Sequence, residues 1–545
     1  MKKLSKRIIV TICMLTCACS TFLGCGNPQH NNPMPEIDKT KTQLYVGVFD
    51  GGYGTRWLEE YKKGFEELYK DQSFESGKMG VELVPLADKI SYSASSLENS
   101  MDRSAVNVFF SELVNYYKFV EDGLLMDISD VVTDPLPNEN KTIESKLNAS
   151  QKQYYNIDGK YYGLPHYRSF RGIVYDKDLF NKKKLYIKAD GNVAGKEGDT
   201  DLSKGPDGVS GTYDDGLPAT YDEFFAWCDT VKTDKGITPI VWNGANKESY
   251  TKHLQDALFA DSLGADAANA YYNIPESGAA KTLPVVTGFD GSKPIITDTQ
   301  VSRDNYKLIT QLSGNYYALD FLQRIISGNY YYSLSMNSTF SHEETHYDFL
   351  HSRFDPEMQE IAMMVEGTWW EEESDGIFEG MSDYEGASRA ERNFGFLPLP
   401  KPTEDYFGAP TLFDGNKSIV MVNANCDAVH TDLAKKFIQY ISTDASLQKF
   451  NTITGIGRDY KYTLTDTQQD ELTTFATDIY NLVQSGEGIV YGYATNYSAY
   501  TWGKTHTYDR FTSKLNSSVE IEPILAFAGG KTAKDYFEGI IENNK

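Results

Sequence analysis

The chain has 545 residues, 40% hydrophobic and 24% charged, which suits a folded protein with two or three cores rather than one. Its formal net charge is −25; residues 1–24 hold Lys2, Lys3, Lys6 and Arg7 and no acid, so the remainder stands at −25 − 4 = −29. A surface this acidic repels nucleic-acid phosphates and excludes a nucleic-acid partner. The 38 Tyr and 28 Phe suit flat ligands or a ring-rich core.

Residues 1–7 are basic and 8–22 form a mostly apolar run, too short for a comfortable membrane span. The run ends at Phe22-Leu23-Gly24-Cys25, followed by Gly26-Asn27-Pro28. A small residue before Cys and a polar linker after it resemble a bacterial lipoprotein cleavage site. The resemblance implies a signal peptide at 1–24, lipid on Cys25 and a tether over 25–41. Acyl chains on Cys25 would hold the protein on the outer face of the cell membrane. Only Cys228 and Cys426 lie in the body, too few for a disulfide framework or a zinc knuckle, so both read as packed thiols.

Residues 43–49 (QLYVGVF) read as a strand, with Gly51, Gly52 and Gly54 in the loop after it. Apolar positions Trp57, Leu58, Tyr61, Phe65 and Leu68 mark an amphipathic helix, and 81–86 a second strand. This βαβ opening predicts an α/β fold with a mostly parallel sheet. Ligands in such sheets sit at the carboxyl ends of strands, so the loop 50–57, with Asp50 and Trp57, is a candidate binding loop. Its glycines lack the spacing of a dinucleotide loop. Residues 107–110 read as a third strand, followed by Glu112 and a helix over 113–121. Residues 161–164 and 172–175 read as two strands split by Pro165 and the segment His166-Tyr167-Arg168. Further on, 218–224 opens a capped helix, 237–242 is a strand ending at Trp242, and helical patterns fill 250–263 and 306–326. Strands follow near 362–370 and 417–422, and a helix over 432–441.

The segment YYGLPHYRSFRGIVYDKDLF at 161–180 resembles the first crossover of the extracellular solute-binding proteins of ABC importers, carbohydrate type. Other blocks match in the same order: GLLMDIS at 123–129, PATYDEF at 218–224, AMMVEGTWW at 362–370, FGFLPLPKP at 394–402, AKKFIQYI at 434–441 and GIGR at 455–458. The resemblance covers roughly residues 42–460 and leaves 188–218 and 270–304 poorly matched. It implies a two-lobed periplasmic-binding-protein-like fold of type II, with lobes joined by hinge crossings. Lobe 1 would take residues 42–165 plus 413–455, and lobe 2 residues 166–412 plus 456–545. It further implies a lipid-anchored component that captures an oligosaccharide between the lobes and delivers it to ABC permease subunits, with no covalent chemistry and no required cofactor.

Sugars offer C–H faces to aromatic rings and hydroxyl edges to charged and amide groups. Trp369 leads the expected contacts because it matches the family's strand-delivered aromatic. Adjacent strand residues face opposite ways, so only one of Trp369 and Trp370 should reach the ligand. Trp242, Glu112, Tyr167, Arg168 and Glu366 lie at strand ends or crossings and are candidates too. Asp50, Trp57 and Arg458 complete the set. In the insert at 188–218, Asp199, Asp201, Asp207, Asp214 and Asp215 stand among glycines; such carboxylates can converge on calcium, although their spacing is not that of an EF-hand and Asp and Gly also make turns.

One motif supports an enzyme instead. His342-Glu343-Glu344-Thr345-His346 is H-E-x-x-H, which on a helix puts both imidazoles on one face, with Glu343 as base and Glu366 as a third ligand of a zinc peptidase. Its polar flank at 337–341 argues for an exposed helix. A glycosidase pair of acids is a weaker alternative, since sequence sets no carboxylate separation.

Overall fold

The computed structural model describes residues 36–485, 488–508 and 521–544. Cys25, the signal run and most of the tether lie outside them. The body from Asp38 onward is one compact unit built on two sheets.

The first sheet takes β1 (Thr42–Val48), β2 (Val81–Ala87), β3 (Val108–Ser111) and β4 (Gly163–Pro165). The second takes β5 (Arg171–Asp176), β6 (Thr238–Val241), β7 (Ile361–Gly367) and β8 (Phe394–Phe396). One late strand, β9 (Ile419–Val422), returns to the first sheet. The strand orders are β2-β1-β3-β9-β4 and β6-β7-β5-β8. β1 is parallel to β2 and β3, whereas β9 runs antiparallel to both β3 and β4. This insertion of a returning strand is the type II arrangement. The strands are apolar on both faces because helices cover both sides: β7 is buried at all seven positions.

The expected opening helix spans Arg56–Leu68 and buries Trp57, Leu58, Tyr61 and Phe65. Other elements differ in extent. The helix expected at 113–121 begins at Tyr116, because Leu113 turns left-handed (φ 56°) and Asn115 caps the next turn through its side chain. The pattern at 250–263 belongs to a longer helix, Lys247–Tyr272, kinked at Gly264. That at 306–326 divides into a 3₁₀ stretch, Arg303–Gln311, and a helix, Ser313–Gly328, since Leu312 is extended. The poorly matched stretch before it holds an antiparallel hairpin, Lys281–Asp290 with Lys293–Val301.

Three segments cross between the sheets and are tied to one another. Tyr167 bridges Arg458, and Phe170 bridges Asp414. The His166 amide donates to the Ser418 carbonyl (3.1 Å) and the Arg168 amide to that of Gly457 (3.1 Å). Arg458 is wholly buried across this junction; its guanidinium donates to the carbonyls of Pro165 (2.9 Å), His166 (3.1 Å) and Ile441 (2.9 Å). The buried rings of Tyr460, Tyr462 and Tyr480 pack into the core around the first sheet, while separate cores surround the second.

Candidate functional site

The carboxyl ends of β1, β3 and β7 meet at one place. After β1 the loop carries Asp50, Gly51, Gly52 and Tyr53. After β3 comes Glu112, and after β7 the turn Thr368-Trp369 leads into the short helix Trp370–Glu373. Glu112 is buried and accepts a short hydrogen bond from the Tyr167 hydroxyl. The Tyr53 ring lies 4.1 Å from that of Tyr167. A β-carbon at Gly51 would overlap the Glu112 carboxylate, and Gly52 (φ +112°) lies against Glu373. Only glycine lets this loop pass so close to two carboxylates.

The first sheet's loop and the second sheet's helix are also joined by charge. Arg56 pairs with Glu372 (2.7 Å), which Arg389 holds from the other side (2.6 Å). The Leu113 amide donates to the Asn416 carbonyl (2.7 Å). Its left-handed backbone leaves the Leu113 side chain 60% exposed at the strand end, an apolar group held out against its own conformational preference.

Burial pushes the Glu112 carboxyl up to about 7, against the Tyr167 hydrogen bond and Lys89, with Asp414 and Glu373 adding to the rise. Glu373 is pushed up to about 7 by burial and then by the charge of Glu366. Near neutral pH these carboxyls can donate as well as accept a hydrogen bond, which suits a hydroxyl-bearing guest.

Trp369 and Trp370 part as expected, though not on a strand. β7 stops at Gly367 and the two rings diverge at the start of a helix. Trp370 is fully buried among Phe349, Phe394 and Phe475. Trp369 is 7% exposed, folds back over Gly367, packs into the first-sheet core and meets His253 edge-on at 6.3 Å. Of the expected set, Glu112 and Tyr167 touch each other, the loop bearing Asp50 passes against Glu112, and Trp369 packs in the same first-sheet core as Tyr167.

Others of the expected set lie elsewhere. Trp57 is wholly buried between His166, Phe110 and Phe450, its indole N–H donated to the Gly54 carbonyl (3.0 Å). Trp242 is wholly buried against Tyr331. Arg458 is the pin of the crossings described above, its donors spent on backbone carbonyls. Glu366 is buried, its carboxylate shared between His346 Nε2 (3.2 Å) and the Gly367 amide (2.8 Å). Arg168 follows Tyr167 in an extended segment and so points the other way. It donates to the Tyr460 carbonyl (2.7 Å), pairs with Asp459 and lines a cavity of about 640 Å³ with Gln151, Asn269, Tyr462 and Ile489.

The aspartates of the insert are turned onto their own loop. Asp201 and Asp199 pair with Lys188 (2.9 and 3.9 Å). Buried Asp214 accepts from Thr212 Oγ1 and the Asp207 amide, Asp207 from the Val209 amide, and Asp215 from the Gly211 amide. Among the described residues none of the five belongs to a cluster of converging metal-ligating groups.

Sequence reasoning did not single out Tyr53, Leu113, His253 or Glu373. The glycine loop was the one signal available for Tyr53. Glu373 lies four residues past Trp369, one helical turn on, a spacing that marks a shared face once the helix is known.

Residues 58–315 match the family model described as bacterial extracellular solute-binding protein. That match covers a little under half of the chain, and the fold is that of periplasmic solute-binding proteins. The fold extends well beyond the matched residues. A cyclic α-maltosyl-1,6-maltose binding protein from Arthrobacter globiformis aligns with a TM-score of 0.54 at 12% identity, over 92% of this chain and 97% of that one. The binding protein RafE in complex with raffinose gives 0.54 at 13%, over 93% and 100%. Apo RafE from Streptococcus pneumoniae gives 0.52 at 14%, over 94% and 100%. No curated protein matches the chain. The matched model describes solute binding, and the peptidase reading of His342–His346 is not carried forward. No helix of the described residues is long and apolar enough to cross a membrane.

Proposed function

We propose that the protein captures a carbohydrate between its two sheet-bearing lobes. The observation that carries this reading is that one glycine loop after β1 passes against Glu112, after β3, and Glu373, in the short helix that follows β7 and the Trp369 turn. A ring offers a surface for sugar C–H groups, and a carboxyl that titrates near neutrality, Glu112, serves hydroxyls as donor or acceptor. The similar structures named for raffinose and for a cyclic maltosyl-maltose support the ligand class. The lobes would comprise 42–165 plus 413–455 and 166–412 plus 456–545, with the rings of Tyr460, Tyr462 and Tyr480 reaching into the core of the first. Sugar bridging both lobes would favour a closed form, in proportion to its higher affinity for that form.

The binder would be the lipid-anchored component of an ABC importer, held at Cys25 on the outer membrane face and passing its oligosaccharide to permease subunits. The leader pattern supports the anchor, and the family supports the importer. The test is calorimetric titration of a chain begun after Cys25 with a panel of neutral oligosaccharides. Saturable 1:1 binding of one sugar class is expected; a panel without any binder contradicts the reading. Mass spectrometry of the membrane-associated protein tests acylation of Cys25, and an unmodified amino terminus at another residue would refute it.

A further inference from the structure

The helix His342–His351 carries His346, one of three clustered metal-ligating groups, and His342 beside them. His342 and His346 lie one turn apart on it, ring centroids 6.1 Å from each other. His346 is buried and its Nε2 lies 3.2 Å from Glu366 Oε1 on β7. The other ring nitrogen, Nδ1, is held by Ser374 Oγ at 3.0 Å. Glu373, partly exposed, approaches His342 Nε2 at 3.6 Å. Ligand atoms of His346, Glu366 and Glu373 all fall within 4.8 Å of one another, and no other such group occurs among the described residues.

The charges here are managed differently from those next door. Glu371 and Glu372 are held by Arg389, and Glu372 by Arg56 as well. Glu366 and Glu373 form no ion pair with lysine or arginine among the described residues; the imidazoles of His346 and His342, cations when protonated, stand beside them. Two carboxylates this close, one of them fully buried, favour a further positive charge between them.

We propose that His342, His346, Glu366 and Glu373 form a site for a divalent transition metal, Zn²⁺ by preference, that fastens the helix His342–His351 to the turn bearing Trp369. Imidazole nitrogen with carboxylate oxygen suits zinc better than calcium or magnesium. Tetrahedral ligands about 2.0–2.1 Å from zinc stand roughly 3.3 Å apart; the His346–Glu366 separation of 3.2 Å already meets that. Ser374 plays the part of the outer partner that fixes a metal-binding imidazole through its second nitrogen. A cavity of about 400 Å³, lined by Glu343, Glu344, His346, Tyr347 and Glu373, opens onto the cluster and gives an ion its way in. The site performs no reaction. It sets the position of the turn that bears Trp369, and it exists whether or not a sugar binds.

The experiment is zinc titration of the metal-stripped protein without sugar, by competition with a chromogenic chelator, with elemental analysis of the product. One Zn²⁺ per chain is expected, with a rise in Tm that calcium does not produce. His346→Ala and Glu373→Gln should each weaken zinc binding at least tenfold, while Glu343→Gln should leave it unchanged. Glu373→Gln preserves side-chain shape, and far-UV circular dichroism checks that it folds. Absence of stoichiometric zinc, or zinc affinity unchanged in both ligand variants, overturns the proposal. Loss of sugar binding with zinc binding intact would count against the carbohydrate reading alone.

Discussion

Replacing Glu112 with glutamine should make the protein more stable at pH 8 and flatten its pH dependence. Burial raises this carboxyl from 4.5 to about 7, so the folded chain holds its proton more tightly than the unfolded chain does. The sign follows: its contribution is most favourable below pH 4.5, declines as pH rises toward 7, and reaches its full penalty above that. That difference corresponds to about 3 kcal/mol above pH 7, of which less than about 1 kcal/mol is already present at pH 5. Glutamine keeps an acceptor for the Tyr167 hydroxyl and has no charge to bury. Urea denaturation of wild type and Glu112→Gln without sugar, at pH 5 and pH 8, reads the effect directly. The variant should gain about 2 kcal/mol relative to wild type between the two pH values. Equal pH slopes in the two proteins, or a variant that loses stability at pH 8, would refute the reasoning.

Arg458→Ala should destabilise the protein by about 3 kcal/mol or more, because three buried carbonyls lose a charged donor; denaturation showing a change under about 1 kcal/mol would contradict the role of a pin. Calcium in millimolar excess should leave Tm unmoved to within about 1 °C, because linkage requires binding and the five aspartates of the insert do not converge on one point. A larger rise that disappears in Asp214→Asn would reverse that conclusion.

Much of the first sheet was legible because its strands are short apolar runs separated by clear turns. The crossing at 166–170 could be placed because Pro165 stops one strand and Gly172 opens another. The two-sheet order rested on family resemblance, since β9 reaches its neighbours β3 and β4 from some 250 to 300 residues away and no local pattern encodes that. Burial was the least legible property. Trp57 and Arg458 carry residue types that serve ligands as readily as cores, and what consumes them, His166 and three backbone carbonyls, is assembled only by the fold. Leu113 escaped notice because its position looked helical; the left-handed turn there follows from its bond to Asn416, a long-range contact. The H-E-x-x-H pattern did form a helix, and its polar flank said correctly that one side faces water. It could not say that His346 points inward to Glu366.

The most direct test of sugar capture at the strand ends is calorimetric titration of the cognate sugar onto wild type and Trp369→Ala, with circular dichroism confirming that both fold. Removing the ring should raise Kd by about thirty-fold or more, the effect of deleting a central aromatic anchor. A folded Trp369→Ala protein that binds the sugar as tightly as wild type would contradict the account.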